Sequence, residues 1–425
     1  MSFTDGLMFS LGFDSVGVFF ATLTATLFLL TALYTLSYAE HDEHRGRLYL
    51  FLLLTLLALV GLSAAKNLLT FYLFFEVLSM VSFPLVLHTG TEEARRASVK
   101  YLGFSVFGAT MALFGMLLLG RDCMQPFSAG GMQLPVSTQS IWALLLMTAG
   151  FCCKAGLIPL SNWLPTAHPE APAPASALLS GVITKAGMLG LIRVCYFVFG
   201  VDAVRGSFAQ TVLLILALAT IFVGSMLAYR EQMLKKRLAY SSISQLSYVV
   251  LGIMTLNATG LVGALMQIAF HSAAKVGLFL CAGAIMHQTG YTRVSQLTGI
   301  GKRMPGVMLC FTAFSLSLVG IPPFGGFVAK WGLGMGVLQE NNSFSIAAVV
   351  MLLVSALLTA GYLFPIIGNA FFAGDRATIV SNKTDWRMLL PLAVLALFVL
   401  LAGAFPMGLT GLFHKISMCL IGGAA

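Results

Sequence analysis

The chain holds 425 residues, of which 58% are hydrophobic and 9% charged, against the about 25% charged residues of a soluble domain. That deficit excludes an ordinary water-soluble globule, and apolar runs that do not alternate with polar residues exclude a transmembrane β-barrel. The net charge of +9 therefore has to be explained within an all-α polytopic membrane protein, and not by a nucleic-acid surface.

Apolar runs between polar breaks predict about twelve spans, at about 20 residues per crossing: 7–38, 48–65, 68–87, 99–119, 141–160, 175–199, 211–229, 242–257, 261–286, 306–338, 346–372 and 388–405. The first is longer than a signal-peptide core and lacks a basic start and a small-residue cleavage site, so it is predicted as a mature span. The fifth is predicted to break after Lys154, at Gly156-Leu-Ile-Pro159. The tenth should break at Gly320-Ile-Pro-Pro-Phe-Gly-Gly326, because proline lacks the amide donor and glycine loosens the backbone. Spans 48–199 and 211–372 then form two five-helix units, each broken in its fourth helix, with 388–405 as an extra C-terminal span. An odd number of spans per unit makes the two units inverted repeats.

Basic residues assign the orientation, since cytoplasmic loops hold the excess of Lys and Arg. With the N-terminus outside, one side collects fifteen, among them Arg45, Arg47, Arg95, Arg96, Lys235, Arg237, Arg293, Arg376, Lys383 and Arg387. The other collects Lys66, Arg121, Arg205 and Lys415, with Arg193 near the same surface. Topology thus accounts for the net charge, and both termini are expected on the outer side of a prokaryotic cytoplasmic membrane.

Four lysines fall within spans, Lys154, Lys185, Lys275 and Lys330, together with Glu76 and with His271 one turn before Lys275. Facing lipid, each charge would cost about 2.5 to 3.5 kcal/mol on an insertion scale. Lysines near mid-helix cannot reach the headgroups by extending their side chains. Either they form ion pairs that hold helices together or they line an internal polar path, and their number favours a path of proton-exchanging groups. Lysine suits such exchange because desolvation favours its neutral form while a nearby carboxylate restores the charged one.

The stretch Asn67-Leu-Leu-Thr-Phe-Tyr-Leu-Phe-Phe-Glu76, then Phe151-Cys-Cys-Lys154-Ala-Gly-Leu-Ile-Pro159 running into Asn162-Trp-Leu-Pro-Thr-Ala-His-Pro-Glu-Ala-Pro172, resembles the antiporter-like subunits of respiratory complex I, energy-converting membrane-bound hydrogenases and multisubunit cation/proton antiporters. Ser180-Gly-Val-Ile-Thr-Lys185-Ala-Gly, Lys236-Arg-Leu-Ala-Tyr-Ser-Ser-Ile-Ser-Gln245, His271-Ser-Ala-Ala-Lys275 and Gly320 to Lys330 extend the resemblance over nearly the whole chain. It implies that Glu76 and Lys154 form a switching ion pair and that Lys185 passes protons inward. Lys275 with His271 would be the central relay, and Lys330 would face the exit. It also implies partners in the form of further antiporter-like and quinone- or hydrogenase-associated subunits. Set against larger members, the two helices that precede Phe9-Ser-Leu-Gly-Phe-Asp-Ser15, and the long lateral helix that one subunit type carries at its C-terminus, are not expected here.

Other polar features carry smaller expectations. His168 and Glu170 are accessory positions that serve either the ion path or a helix-start loop. Glu40-His-Asp-Glu-His44 reads as a solvated loop before it reads as a metal site. Tyr240, Ser241, Ser242, Ser244 and Gln245 either hold water or bond between helices. The seven cysteines lack metal-ligand spacing, and no nucleotide, iron-sulfur or haem signature occurs, so no cofactor is expected in this chain. The expected function is proton translocation driven by redox chemistry in partner subunits. The alternative is a subunit of a sodium/proton antiporter driven by an ion gradient alone, with Na+ as a coupling ion. A non-conducting scaffold, an intramembrane hydrolase and a quinone-reducing enzyme leave the row of lysines without a use.

Overall fold

In the computed structural model, residues 9–132, 134, 137–341, 343–372, 374 and 384–422 are described. Arg376, Lys383 and the first two residues of the predicted first span lie outside them.

Fifteen helices order the described chain: α1 Ser15–Tyr38, α2 Arg45–Ala64, α3 Leu68–Val86, α4 Glu92–Leu119, α5 Thr138–Ala155, α6 Leu164–Glu170 and α7 Ala173–Val198. There follow α8 Phe208–Arg230, α9 Leu234–Met254, α10 Ala258–Thr289, α11 Pro305–Val319, α12 Gly325–Leu338, α13 Ser343–Phe372, α14 Trp386–Ala404 and α15 Met407–Ile421. Short helical turns in the connections are left unlabelled. Among the described residues nine helices are long and apolar enough to cross a membrane, and extended pairing is limited to isolated bridges such as Leu11 with Ala65.

Starts are set by polar caps whose side chains accept from free first-turn amides. Asp14 accepts from Gly17, Asn67 from Thr70, Thr91 from Ala94 and Asn257 from Gly260. Loops gather at two ends of the bundle. At one, Arg47 donates to the His88 carbonyl (2.6 Å), Asp42 meets His88 (2.7 Å) and Glu40 meets Arg387 (3.0 Å). We call this the basic end. At the other, Gly12 N donates to the Ala64 carbonyl, Met132 N to that of Val198, and Arg205 to that of Leu256.

Burial sorts the helices into a centre and a ring. The most apolar stretches of α7 and α10 are 100% buried, and the more polar α9 is buried along nearly its whole length, whereas those of the seven other long apolar helices are between 33% and 50% buried. The outward faces of the ring are themselves apolar, with Leu29 71% and Leu357 74% exposed, as expected of a surface solvated by lipid.

Both predicted breaks are present and close in the same way. After α5, Gly156 takes a left-handed conformation (φ +83°); its N–H and that of Leu157 return to the carbonyls of Cys153 and Cys152. After α11, Gly320 does likewise (φ +90°), with its N–H and that of Ile321 returning to Ser317 and Leu316. Each is a Schellman closure, and each is followed at the third residue by a proline, Pro159 or Pro323.

Three expectations need correction. Lys235 and Arg237 are not loop residues: α9 begins at Leu234, and the two side chains are 6% and 5% exposed. They are folded inward because backbone carbonyls accept from them, Ala171 from Lys235 (2.7 Å) and Tyr362 from Arg237 (2.8 Å). Arg193 lies near the expected surface, at the end where Asp14 caps α1, yet its side chain is fully buried and paired with Asp14. Finally, the chain after the last predicted span forms α15, which docks Phe413, Ile416, Ser417 and Leu420 against the bundle.

Candidate functional site: a line of buried ionisable groups

Lys154 lies in the last turn of α5, 2% exposed. Its ammonium donates to Ser79 Oγ (3.1 Å), Tyr101 OH (2.8 Å) and Ser105 Oγ (3.2 Å), so all its donors are used. It also lies 4.7 Å from the centre of the Tyr101 ring, a cation–π distance. Ser82 meets Tyr101 OH at 2.6 Å, extending the hydroxyl cluster along α3.

Glu76 is not within 4.0 Å of Lys154. Its carboxylate instead accepts from Tyr72 OH at 2.8 Å. Because Ser79 stands three residues after Glu76 on α3, the hydroxyl that holds Lys154 is only about 4.5 Å farther along that helix. Glu76 is half-buried, on the side of α3 where Leu73, Val77 and Met80 are exposed.

Lys185 projects from α7, 1% exposed, and donates to the Ser180 carbonyl in a π-helical segment, Leu179–Ile183. Such wide turns free a carbonyl from the regular ladder. The α5 and α7 backbones approach closely at Gly187, where a Cβ would stand 2.4 Å from the Phe151 carbonyl oxygen and 2.7 Å from Ala155 N. Gly187→Ala is therefore expected to push α5 away, at about 1–3 kcal/mol for overpacking. A lowered thermal midpoint of the purified complex, with loss of translocation, is the outcome to look for; an unchanged midpoint would show that the contact is slack.

Lys275 is wholly buried on α10 and donates to the Leu238 carbonyl at 2.9 Å. His271, one turn earlier, is 1% exposed and has no hydrogen-bond partner on either ring nitrogen among the described residues. It is within electrostatic range of Lys185, Lys275 and Lys330. His168 is likewise buried and unpartnered, stacked on Phe279 at 4.7 Å and within electrostatic range of Lys235, Lys275 and Lys185. Buried polar groups are almost always paired, with protein or with ordered water.

Lys330, on α12, reaches back across the second break. Its ammonium donates to the Leu318 (2.6 Å) and Val319 (2.9 Å) carbonyls at the C-terminus of α11, where the helix dipole favours a cation. The Tyr248 ring lies 5.3 Å away. Of the predicted residues the fold thus brings Lys185, Lys275 and Lys330 each into range of His271 on α10, and the α5–α7 contact sets the end of α5 that bears Lys154 against the helix of Lys185.

The hydroxyl residues of α9 serve as bonds between helices: Ser242 to Ser180 (2.6 Å), Ser241 to Tyr362 (2.7 Å), Ser244 to Ser225 (2.8 Å) and Gln245 to Gln267 (2.9 Å). Tyr101, Ser79, Ser105 and Lys235 were missed in the sequence, the first three because hydroxyls are common in spans. Glu170 stands beyond the spans near the basic end; burial, and then the neighbouring Glu93 charge, hold its carboxyl above the ordinary range. Among the described residues no three His, Cys, Asp or Glu side chains are grouped to hold a metal.

The fold and the site define a class: a multi-pass helical membrane protein with ionisable groups buried inside it. The chain belongs to the family described as "NADH:quinone oxidoreductase/Mrp antiporter, TM", whose model matches residues 65–359. NADH-quinone oxidoreductase subunit N of Desulforudis audaxviator is 34% identical over 385 residues, 85% of this chain and 75% of the relative. The fold is also similar to a chain of respiratory complex I from Thermus thermophilus, with a TM-score of 0.82 and 25% identity over 97% of this chain and 86% of that one. A chain of the Mrp complex from Dietzia sp. shares the fold at a TM-score of 0.85, with 24% identity over 96% and 84%.

Proposed function

We propose that this chain is a proton-translocating membrane subunit of a redox-driven complex of the complex I or membrane-bound hydrogenase type. The observation that carries this reading is that Lys185, His271 and Lys275 stand on α7 and α10, whose most apolar stretches are wholly buried within the bundle. A scaffold would have apolar residues there, since a well-packed apolar core is at least as stable as buried charge.

Glu76 and Lys154 act as a switch with two arrangements. With Lys154 on its three hydroxyls, its donors are met but no negative charge lies beside it. Moved along α3 to Glu76, it is held as a cation and gives up contact with the cluster. A proton passed inward then crosses Lys185, the His271 and Lys275 relay, and Lys330. His168, Glu170 and Lys235 provide an input from the basic end. Glu76, on a partly exposed face at bilayer depth, calls for a covering partner subunit. Electron transfer and its cofactors belong to other chains of the complex.

The shared closure at Gly156 and Gly320 supports two inverted five-helix repeats within twelve crossings, α11 and α12 counting as one. By the excess of Lys and Arg the basic end faces the cytoplasm. Asp14 and Cys419 line one cavity at the opposite end, in keeping with both ends of the chain on the outer side.

In the assembled complex reconstituted into vesicles, Glu76→Ala and Lys154→Ala are each expected to abolish proton pumping with assembly preserved. Wild-type pumping in both variants would reject the switch. Transport in the wild type driven by a sodium gradient without electron transfer would move the chain to the antiporter reading.

A further inference from the structure

An elongated apolar cleft of 530 Å3 runs between α1, α10, α14 and α15, with Phe19, Leu27, Ala269, Ala273 and Phe413 among its walls. Along α1 it extends from Ser15 to Leu30, about 22 Å at 1.5 Å per residue. That is most of the about 30 Å hydrocarbon thickness. Apart from Ser15, Thr22 and Thr26 its walls are apolar side chains, so the slot suits a hydrocarbon chain lying parallel to the lipid tails.

At its Ser15 end the cleft meets a second cavity of 200 Å3, lined by Asp14, Ser15, Lys66, Phe127 and Cys419 among others. Asp14 is engaged there by Arg193. Lys66 is exposed and has no acidic side chain within 4.0 Å among the described residues. An exposed lysine at one membrane interface, beside an Asp14 already neutralised by Arg193, stands above a long apolar slot and complements an anionic phospholipid. We propose that the slot holds an acyl chain of such a lipid, with its phosphate at Lys66. Ala269 and Ala273 flank His271 in sequence, and two residues rotate about 200° around a helix. The lipid therefore seals the back of α10, opposite the relay. This site stands whether or not the chain translocates protons.

The test uses the purified complex stripped of lipid, with phosphatidylglycerol or phosphatidylcholine added back and retained lipid counted by mass spectrometry. The wild type should retain phosphatidylglycerol preferentially. Lys66→Gln should lower that preference about fivefold, the worth of one lysine beside anionic lipid. Thr26→Trp, which fills the slot from an exposed wall position, should reduce retention of both lipids. Equal retention of the two lipids by the wild type, an undiminished preference in Lys66→Gln, or displacement of phosphatidylglycerol by an added isoprenoid quinone would overturn the proposal.

Discussion

Replacing Lys275 by methionine is expected to reduce proton translocation by about 10²-fold or more, the contribution typical of one positioned proton-transfer group, while the complex still assembles. Lys275 is wholly buried and its ammonium donates to the Leu238 carbonyl, so the fold holds it for the sake of its nitrogen. Methionine fills a similar volume and removes the charge, leaving one buried carbonyl short of a donor at about 1–3 kcal/mol. Lys275→Arg separates charge from exchange. Guanidinium keeps the positive charge but does not release its proton in proteins, so this variant should also fail to pump. A lysine that merely glued helices together would leave pumping intact in whichever of the two variants still assembles. Proton uptake by vesicles per electron transferred distinguishes the two cases.

The second large effect is on stability. Arg193 is fully buried, its guanidinium 4.9 Å from the Phe127 ring centre and 4.6 Å from that of Phe197, and Asp14 binds both of its terminal nitrogens. Asp14→Ala strands that cation, at about 3–5 kcal/mol for a broken buried pair. It also removes the α1 cap on Gly17, worth about 1 kcal/mol. Against a net stability of about 5–15 kcal/mol, the variant should barely accumulate in membranes. Asp14→Ala combined with Arg193→Met should recover most of the loss, because an apolar replacement of a whole buried pair is close to neutral. Size-exclusion profiles after graded heating test this; a double variant no better than the single one would show that the pair is not what holds α1 to α7.

The buried lysines were legible because a charge inside a long apolar run stands out whatever surrounds it. The breaks were legible for a related reason: Gly156 and Gly320 with their following prolines leave the backbone few helical options. What each lysine touches was not. The hydroxyls around Lys154 come from α3 and α4, separated from it by dozens of residues, and serines and tyrosines occur in many spans. Expecting Glu76 beside Lys154 rested on the family resemblance; in the fold Tyr72 holds the carboxylate. Lys235 and Arg237 follow a polar turn and read as a loop, yet the carbonyls of distant helices draw them in. The π-helical turn at Ser180 leaves no residue signature, and α15 is too short to register as a crossing.

In a map of the lipid-embedded complex at a resolution that shows ordered water, water is expected at both ring nitrogens of His271 and between Lys185, Lys275 and Lys330, connected towards Lys154. Dry apolar packing filling the space between these nitrogens, with no water within hydrogen-bond reach of His271, would contradict the proposed proton path.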